Sequence, residues 1–321
     1  MENNQDLQYL LDYRNGKIIR GLGIGNKLDD HLVFKRGQLN IILGHDNVGK
    51  SYFINWYFLN LALRHKLKFI IYSGENKKAY IFRDFIQMYS GMKFKDISES
   101  KIKEYYNYLD QFFTFIPNDK LYKPGDLFSI FKDSGADIGL IDPFTALERD
   151  LSYEGNYNFL NYTRAFINET GMTIYINTHP TSESGRSGNM YHSGHDWAGH
   201  IRAPLKDHIE GGKAFLNRCD DMIVIHRLIK HESMKYTTMI SVEKIKDLDT
   251  GGKHTNLDEP ILCDFNSGLG FVINNIDSLA SFRPKLITPN EIQRLFDEGE
   301  LISTSDKIRY GLIDKNKSNG F

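Results

Sequence analysis

The chain has 321 residues, enough for one large α/β domain with small appendages and a sizeable core. Its 40 basic residues nearly balance 41 acidic ones, for a formal net charge of −1, so no global basic field draws it to nucleic acid or anionic lipid and any such contact has to be local. Cys219 and Cys263 stand far apart without metal-ligand spacing, the N-terminus MENNQDLQYL is too acidic and polar for a signal peptide, and no run reaches the roughly 18 apolar residues of a membrane span; a disulfide framework and a membrane partner are excluded, and a reducing, cytoplasmic location is expected.

In chain order, Leu7, Leu10 and Leu11 share a face and predict a short helix over 5–13. After the Gly-rich GLGIGNKLDD, QLNIIL (38–43) reads as a buried strand, and SYFINWYFLNLAL (51–63), apolar almost all round, as a buried helix. KFIIY (68–72) is a second strand. Helices are expected over 77–90 and 101–113, the latter from the spacing of Ile102, Tyr105, Tyr106 and Leu109. TFI (114–116) is a short strand, PGDLFSIFKDSG a helix with Pro in its first turn and Gly past its end, and IGLID (138–142) another strand. NYNFLNYTRAFINETG is a helix closed by Gly171, followed by strand TIYIN (173–177), the short helix GKAFLNRC and strand DMIVIH (221–226). YTTMISVEKI, PILCDF and GFVI follow as strands, and one further helix is expected near 289–298. Continuously apolar strands alternating with helices predict a mostly parallel sheet covered on both faces, with the last strands extending one edge antiparallel. No internal repeat is visible, and no linker splits the chain.

GHDNVGKS (44–51) matches G-x-x-x-x-G-K-[ST] between an apolar strand and a helix. The backbone amides of Gly44, His45, Asp46, Asn47, Val48 and Gly49 and the following helix N-terminus can cradle phosphate oxygens. Lys50 would reach the terminal phosphates, and Ser51 would ligand Mg²⁺. A chance Gly-rich turn is the bland alternative, and the flanking strand and helix weigh against it. Asp142, closing IGLID, is the candidate second magnesium contact; an ordinary turn Asp is its alternative. Hydrolysis also needs a group to orient or deprotonate water. Pro143 and Phe144 follow Asp142, so the acid has to come from elsewhere, and Glu75, just past strand KFIIY, is the candidate, against a surface Glu in a turn.

In this order the segments resemble the RecA-like P-loop NTPase cores of hexameric replicative helicases: DnaB, Twinkle and the phage helicase-primases. RGQLNIILGHDNVGKS is similar to their phosphate-loop segment, IYSGENKKAYIFRDFIQ to the segment of the catalytic Glu, IDPFTAL to the magnesium-Asp strand, and INTHP to the strand whose end senses the γ-phosphate. HIEGGKAFLNRCDDMIVIHR, VEKIKD and PILCDFNSGLGF resemble the turn, helix and strand ending in Arg, the K-x-R pair that reaches into the neighbouring subunit, and the closing strand. The resemblance implies His179 as γ-phosphate sensor, Arg227 and Phe265 around the adenine base, and Lys244 with Lys246 acting in trans on the neighbour's triphosphate, with Lys standing where Arg is usual. Gatekeeping lysines on an edge strand are the alternative for that pair.

The polar loop from 181 to about 206 then resembles the DNA-binding loop of the hexamer's channel, with Arg186, Arg202 and Lys206 as candidate phosphate contacts. Two alternatives stand beside this reading: a zinc site from Asp196, His192, His195 and His200, and a disordered loop. The resemblance implies an ATP- and Mg²⁺-dependent DNA helicase acting on single-stranded DNA as a hexameric homo-oligomer, with a separate primase or polymerase as partner in phage or plasmid replication. Residues 1–20 would be a linker helix docking on a neighbour, 21–275 the ATPase domain and 276–321 an extension. The rival readings are a RecA/KaiC-type ATPase without strand separation and an inactive helicase-loader-like factor.

Overall fold

The computed structural model describes residues 4–17, 20–150, 152–256 and 258–284. Six strands, β1 (Leu39–Leu43), β2 (Phe69–Ser73), β3 (Phe113–Ile116), β4 (Ile138–Asp142), β5 (Thr173–Thr178) and β6 (Asp221–His226), run parallel. Strands β7 (Thr237–Lys244), β8 (Ile261–Phe265) and β9 (Phe271–Val272) extend one edge antiparallel. The nine form one sheet in the order β3-β2-β4-β5-β1-β6-β7-β8-β9. The helices are α1 (Asn4–Arg14), α2 (Lys50–His65), α3 (Lys78–Ser90), α4 (Glu99–Leu109), α5 (Pro124–Asp133), α6 (Tyr153–Thr170) and α7 (Ala214–Arg218).

The strand residues are buried on both faces because helices cover both. Ile42, Ile71, Leu140 and Ile223 pack with Phe53, Phe58 and Phe85 of α2 and α3. Their strand neighbours Ile41, Ile70, Ile141 and Met222 pack with Phe128, Leu160 and Phe215 of α5, α6 and α7. Parallel strands need crossover connections, so all six carboxyl ends emerge at the same edge. From β1 the chain passes over β5 and β4 to reach β2, while β6 lies on the other side of β1; this reversal opens a crevice at the carboxyl end of β1.

Boundaries differ most from expectation at two places. The helix expected over 101–113 ends at Leu109, and Phe113 opens β3 instead. Its ring stacks on Phe69 at 5.0 Å and on Phe85 at 4.3 Å, so sheet pairing and ring packing outweigh helical spacing. Helix α6 starts at Tyr153, where Ser152 accepts a capping hydrogen bond from the Gly155 amide. Leu7, Leu10 and Leu11 lie on α1 as expected and are all exposed. The helix expected near 289–298 lies outside the described residues. Among those described, no helix is long and apolar enough to cross a membrane.

Candidate active site

The phosphate loop connects β1 to α2. Asn47 and Gly49 both adopt positive φ, 60° and 92°, which turns the loop amides inward, and a Cβ at residue 44 would stand 2.4 Å from the Ile225 carbonyl of β6. The Lys50 ammonium donates to the Gly44 and His45 carbonyls, each at 2.8 Å, and burial depresses its pKa while Asp46, Asp142 and Glu75 oppose that shift. It is a cation held within its own loop, ready to exchange carbonyl oxygens for phosphate oxygens.

Strand register brings the acids to it. Ser73 pairs with Asp142, and Asn177 pairs with Ile42, so the carboxyl ends of β2, β4, β5 and β1 form one row. Asp142 is buried. Burial pushes its carboxyl above the ordinary range, hydrogen bonds from Ser51 and Asn177 oppose that shift, and the nearby Glu75 charge adds to it. Ser51 and Asp142 are hard oxygen donors, and the Asn177 Oδ1 beside them is buried without a partner. Mg²⁺ commonly binds through one or two protein oxygens plus phosphate and water, so this donor set fits it. Glu75, two residues past β2, is exposed at the cavity wall. His179, just past β5, places Nδ1 2.8 Å from Asp46 Oδ1 and 3.5 Å from Lys50 Nζ.

These groups converge on one cavity of about 640 Å³, lined by Lys50, Ser51, Glu75, Asp142, Asn177 and His179. Tyr52, Asn55, Tyr80, Arg83 and Asp84 also line it and were not read from the sequence. Asn177 was missed although its place was a signal, one residue before the end of β5 and beside the strand that ends in Asp142; the other residues on α2 and α3 carried no motif. Arg227 Nη2 donates to the Asn47 carbonyl at 2.7 Å, and the Phe265 ring meets the Tyr52 ring edge-on at 5.4 Å. Both therefore border the start of α2.

Lys244 and Lys246 lie at the opposite edge. Lys244 pairs with Met222, near the start of β6, and its ammonium donates to the Leu216 and Cys219 carbonyls at 2.5 and 2.7 Å. The two lysines do not share one face of a strand, because β7 ends at Lys244 and Lys246 lies beyond it. Lys246 is exposed and sits 3.1 Å from Asp220 Oδ1.

The 181–206 loop is a folded excursion. Its neck closes through a Pro180–Ile209 bridge and a hydrogen bond from the Glu210 amide to the His179 carbonyl, 2.9 Å. Its tip is a hairpin held by a Met190–Ile201 bridge, with Tyr191, His195 and Trp197 packed together at 4.4 to 5.3 Å. The disordered alternative is thereby replaced by a packed hairpin. The zinc alternative finds no support: among the described residues no three His, Cys, Asp or Glu are gathered for a metal. His192 and His195 each spend Nδ1 on a backbone amide, of Gly194 and Trp197, and His200 packs at a tilt against His231, ring centroids 5.0 Å apart. Arg202 packs over Tyr191 and faces Asp258 at 3.9 Å, so it braces the hairpin, whereas Lys206 and Arg186 are exposed, Arg186 with the exposed Glu183 3.8 Å away.

No family model and no curated protein sequence matches the chain. Among solved structures it is similar to an ATPase domain, with a TM-score of 0.66 and 14% identity over 86% of this chain and 100% of that one. It is also similar to a DnaB-like replicative helicase whose structure addresses its interactions with primase, with a TM-score of 0.67 and 13% identity over 84% of this chain and 68% of that one. The sheet order and these similarities show that the chain has a RecA-like fold, shared with that ATPase domain and that DnaB-like helicase.

Proposed function

We propose that the protein is an ATP-driven DNA helicase that assembles as a ring, by preference a hexamer, and moves along single-stranded DNA. The observation that carries this is the convergence of Lys50, Ser51, Asp142, Glu75 and His179 on one cavity, in a fold shared with a solved ATPase domain and a DnaB-like helicase. Lys50 and the loop amides bind the triphosphate, and Arg227 and Phe265 flank the base. Ser51 and Asp142 would hold Mg²⁺, which would supply neutralisation of the phosphate charge. Glu75 orients the attacking water and takes its proton; His179, within reach of Lys50 and Asp46, reads the γ-phosphate. Residues 181–206 face single-stranded DNA, with Arg186 and Lys206 the available cations and Arg202 the brace. Residues 21–275 are the motor; the exposed leucines of α1, in 1–20, dock on a neighbouring subunit; 276–321 form an extension. A separate primase or polymerase is the expected replication partner.

Lys246 is the better placed of the two lysines for a neighbour's triphosphate, because Lys244 is already held by two carbonyls. That engagement also supports the second reading, a RecA/KaiC-type ATPase without strand separation. The test is hydrolysis with and without single-stranded DNA at two salt concentrations, with Lys50→Ala as control, followed by strand displacement. DNA stimulation that weakens with salt and accompanies unwinding supports the helicase. Lys50-dependent hydrolysis indifferent to DNA sinks it in favour of the second reading.

A further inference from the structure

Two histidines outside the catalytic cluster touch the long loop, at points 17 residues apart. His45, second in the phosphate loop, places Nε2 2.9 Å from Ser184 Oγ. The Ser184 hydroxyl spends its single proton on the Thr181 carbonyl, 2.8 Å away, so the His45 Nε2–H is the donor between them. His226, the last residue of β6, donates from Nε2 to the Ile201 carbonyl at 3.0 Å. The two rings meet edge to face, with centroids 5.9 Å apart. Burial holds both imidazoles below their ordinary range, His226 down to about 4, so they share the site without mutual charge repulsion.

We propose that His45 and His226 are positioning residues that clamp the 181–206 loop to the phosphate loop, so that nucleotide loading at Lys50 is transmitted to the loop through Ser184 and Ile201. The inference rests on the ATPase reading above for the nucleotide and extends its account of the loop. The His45 carbonyl accepts from Lys50 Nζ at 2.8 Å while its ring holds Ser184. A triphosphate oxygen competing for the Lys50 ammonium releases that carbonyl, and the same residue carries the change to its ring. The strand carrying His226 feels it as well, because Gly44 packs directly against the Ile225 carbonyl. The clamp is also poised to open: the Nδ1 atoms of both His45 and His226 are buried without a partner, and a displaced arrangement gives them hydrogen bonds to water. The route differs from the His179–Asp46 contact, which holds only the start of the loop.

Hydrogen–deuterium exchange of the full chain with and without magnesium AMP-PNP tests the clamp without DNA. In the native sequence, exchange of amides near 184 and near 201 changes by at least about fivefold on nucleotide addition. Ser184→Ala removes the change near 184 while AMP-PNP affinity stays within about threefold. His226→Leu removes the change near 201, and His226→Gln, which retains a donor for the Ile201 carbonyl, restores it. The proposal is overturned if the native chain shows no nucleotide-dependent change, or if Ser184→Ala and His226→Leu keep it in full. Should Ser184→Ala fail to fold, the Leu and Gln variants at 226 decide alone. Failure of the DNA-motor reading shows separately, as hydrolysis indifferent to single-stranded DNA with the exchange pattern intact.

Discussion

The two edges of the central sheet carry similar residues in opposite states. At the carboxyl edge, Glu75 is exposed, Lys50 donates to two carbonyls of its own loop with His179 Nδ1 3.5 Å away, and Asn177 keeps an unpaired oxygen. At the amino edge, Asp220 receives Arg164, Lys246 and the Leu39 amide, Asp221 receives Lys35, and Lys244 is held by two carbonyls. Lys50 and Lys244 each donate to two carbonyls, so partner number does not separate the edges; Lys50 lines an open cavity where a ligand can replace those carbonyls, and Lys244 does not line it. On this contrast we propose that Lys244, tied to the carbonyls of Leu216 and Cys219, is structural, and that chemistry belongs to the carboxyl edge and to Lys246, whose ion pair with Asp220 leaves it exposed.

The largest effect that would test the contrast is at the amino edge. Asp220→Ala strands Arg164 in a partly buried site and should cost about 3 kcal/mol or more in chemical denaturation; a loss below about 1 kcal/mol would show that this network is not structural. At the carboxyl edge, Glu75→Gln should lower turnover by roughly 10²-fold or more while nucleotide binding and stability persist. Unchanged turnover would remove Glu75 from the mechanism.

Lys244→Ala leaves two carbonyls without their donor and should cost about 2 kcal/mol. Lys246→Ala, at an exposed ion pair, should cost less than about 1 kcal/mol yet reduce turnover of the assembled protein. If Lys244→Ala leaves stability intact and abolishes turnover, Lys244 is the trans-acting residue after all.

The His226 pKa of about 4 lies below the unfolded His value. Its contribution to stability is therefore complete above roughly pH 6.5 and is lost as pH falls toward 4, because the unfolded chain binds the extra proton first. The loss should reach about 2 kcal/mol by pH 5, and His226→Gln should flatten that slope in denaturation at pH 7 and pH 5. The smallest expected effect is Arg186→Ala: DNA affinity falling modestly, with the salt slope reduced by about one phosphate contact. An unchanged slope would place Arg186 away from DNA.

Much of the fold was legible because buried parallel strands are continuously apolar: QLNIIL, KFIIY, IGLID, TIYIN and DMIVIH each became a strand within a residue or so of its expected limits. The boundary at Phe113 was not, since an aromatic residue at helical spacing was captured by Phe69 and Phe85 from other elements. In the site, Gly44 to Ser51 and Asp142 were readable as short segments with defined local geometry. The contacts of Arg202 were not readable, because nothing local announces Asp258 or the Tyr191 ring as its neighbours.

What the sequence determined alone is the chemistry carried by contiguous residues: a strand, a glycine-permitted turn and a helix start fix where backbone amides and Lys50 point, whatever surrounds them. What only the tertiary structure decided is which charges are free. Lys244 is tied to carbonyls 28 and 25 residues away, and His45 meets a serine 139 residues away. Availability of a side chain depends on partners that the fold brings together across such separations, and no local pattern records them.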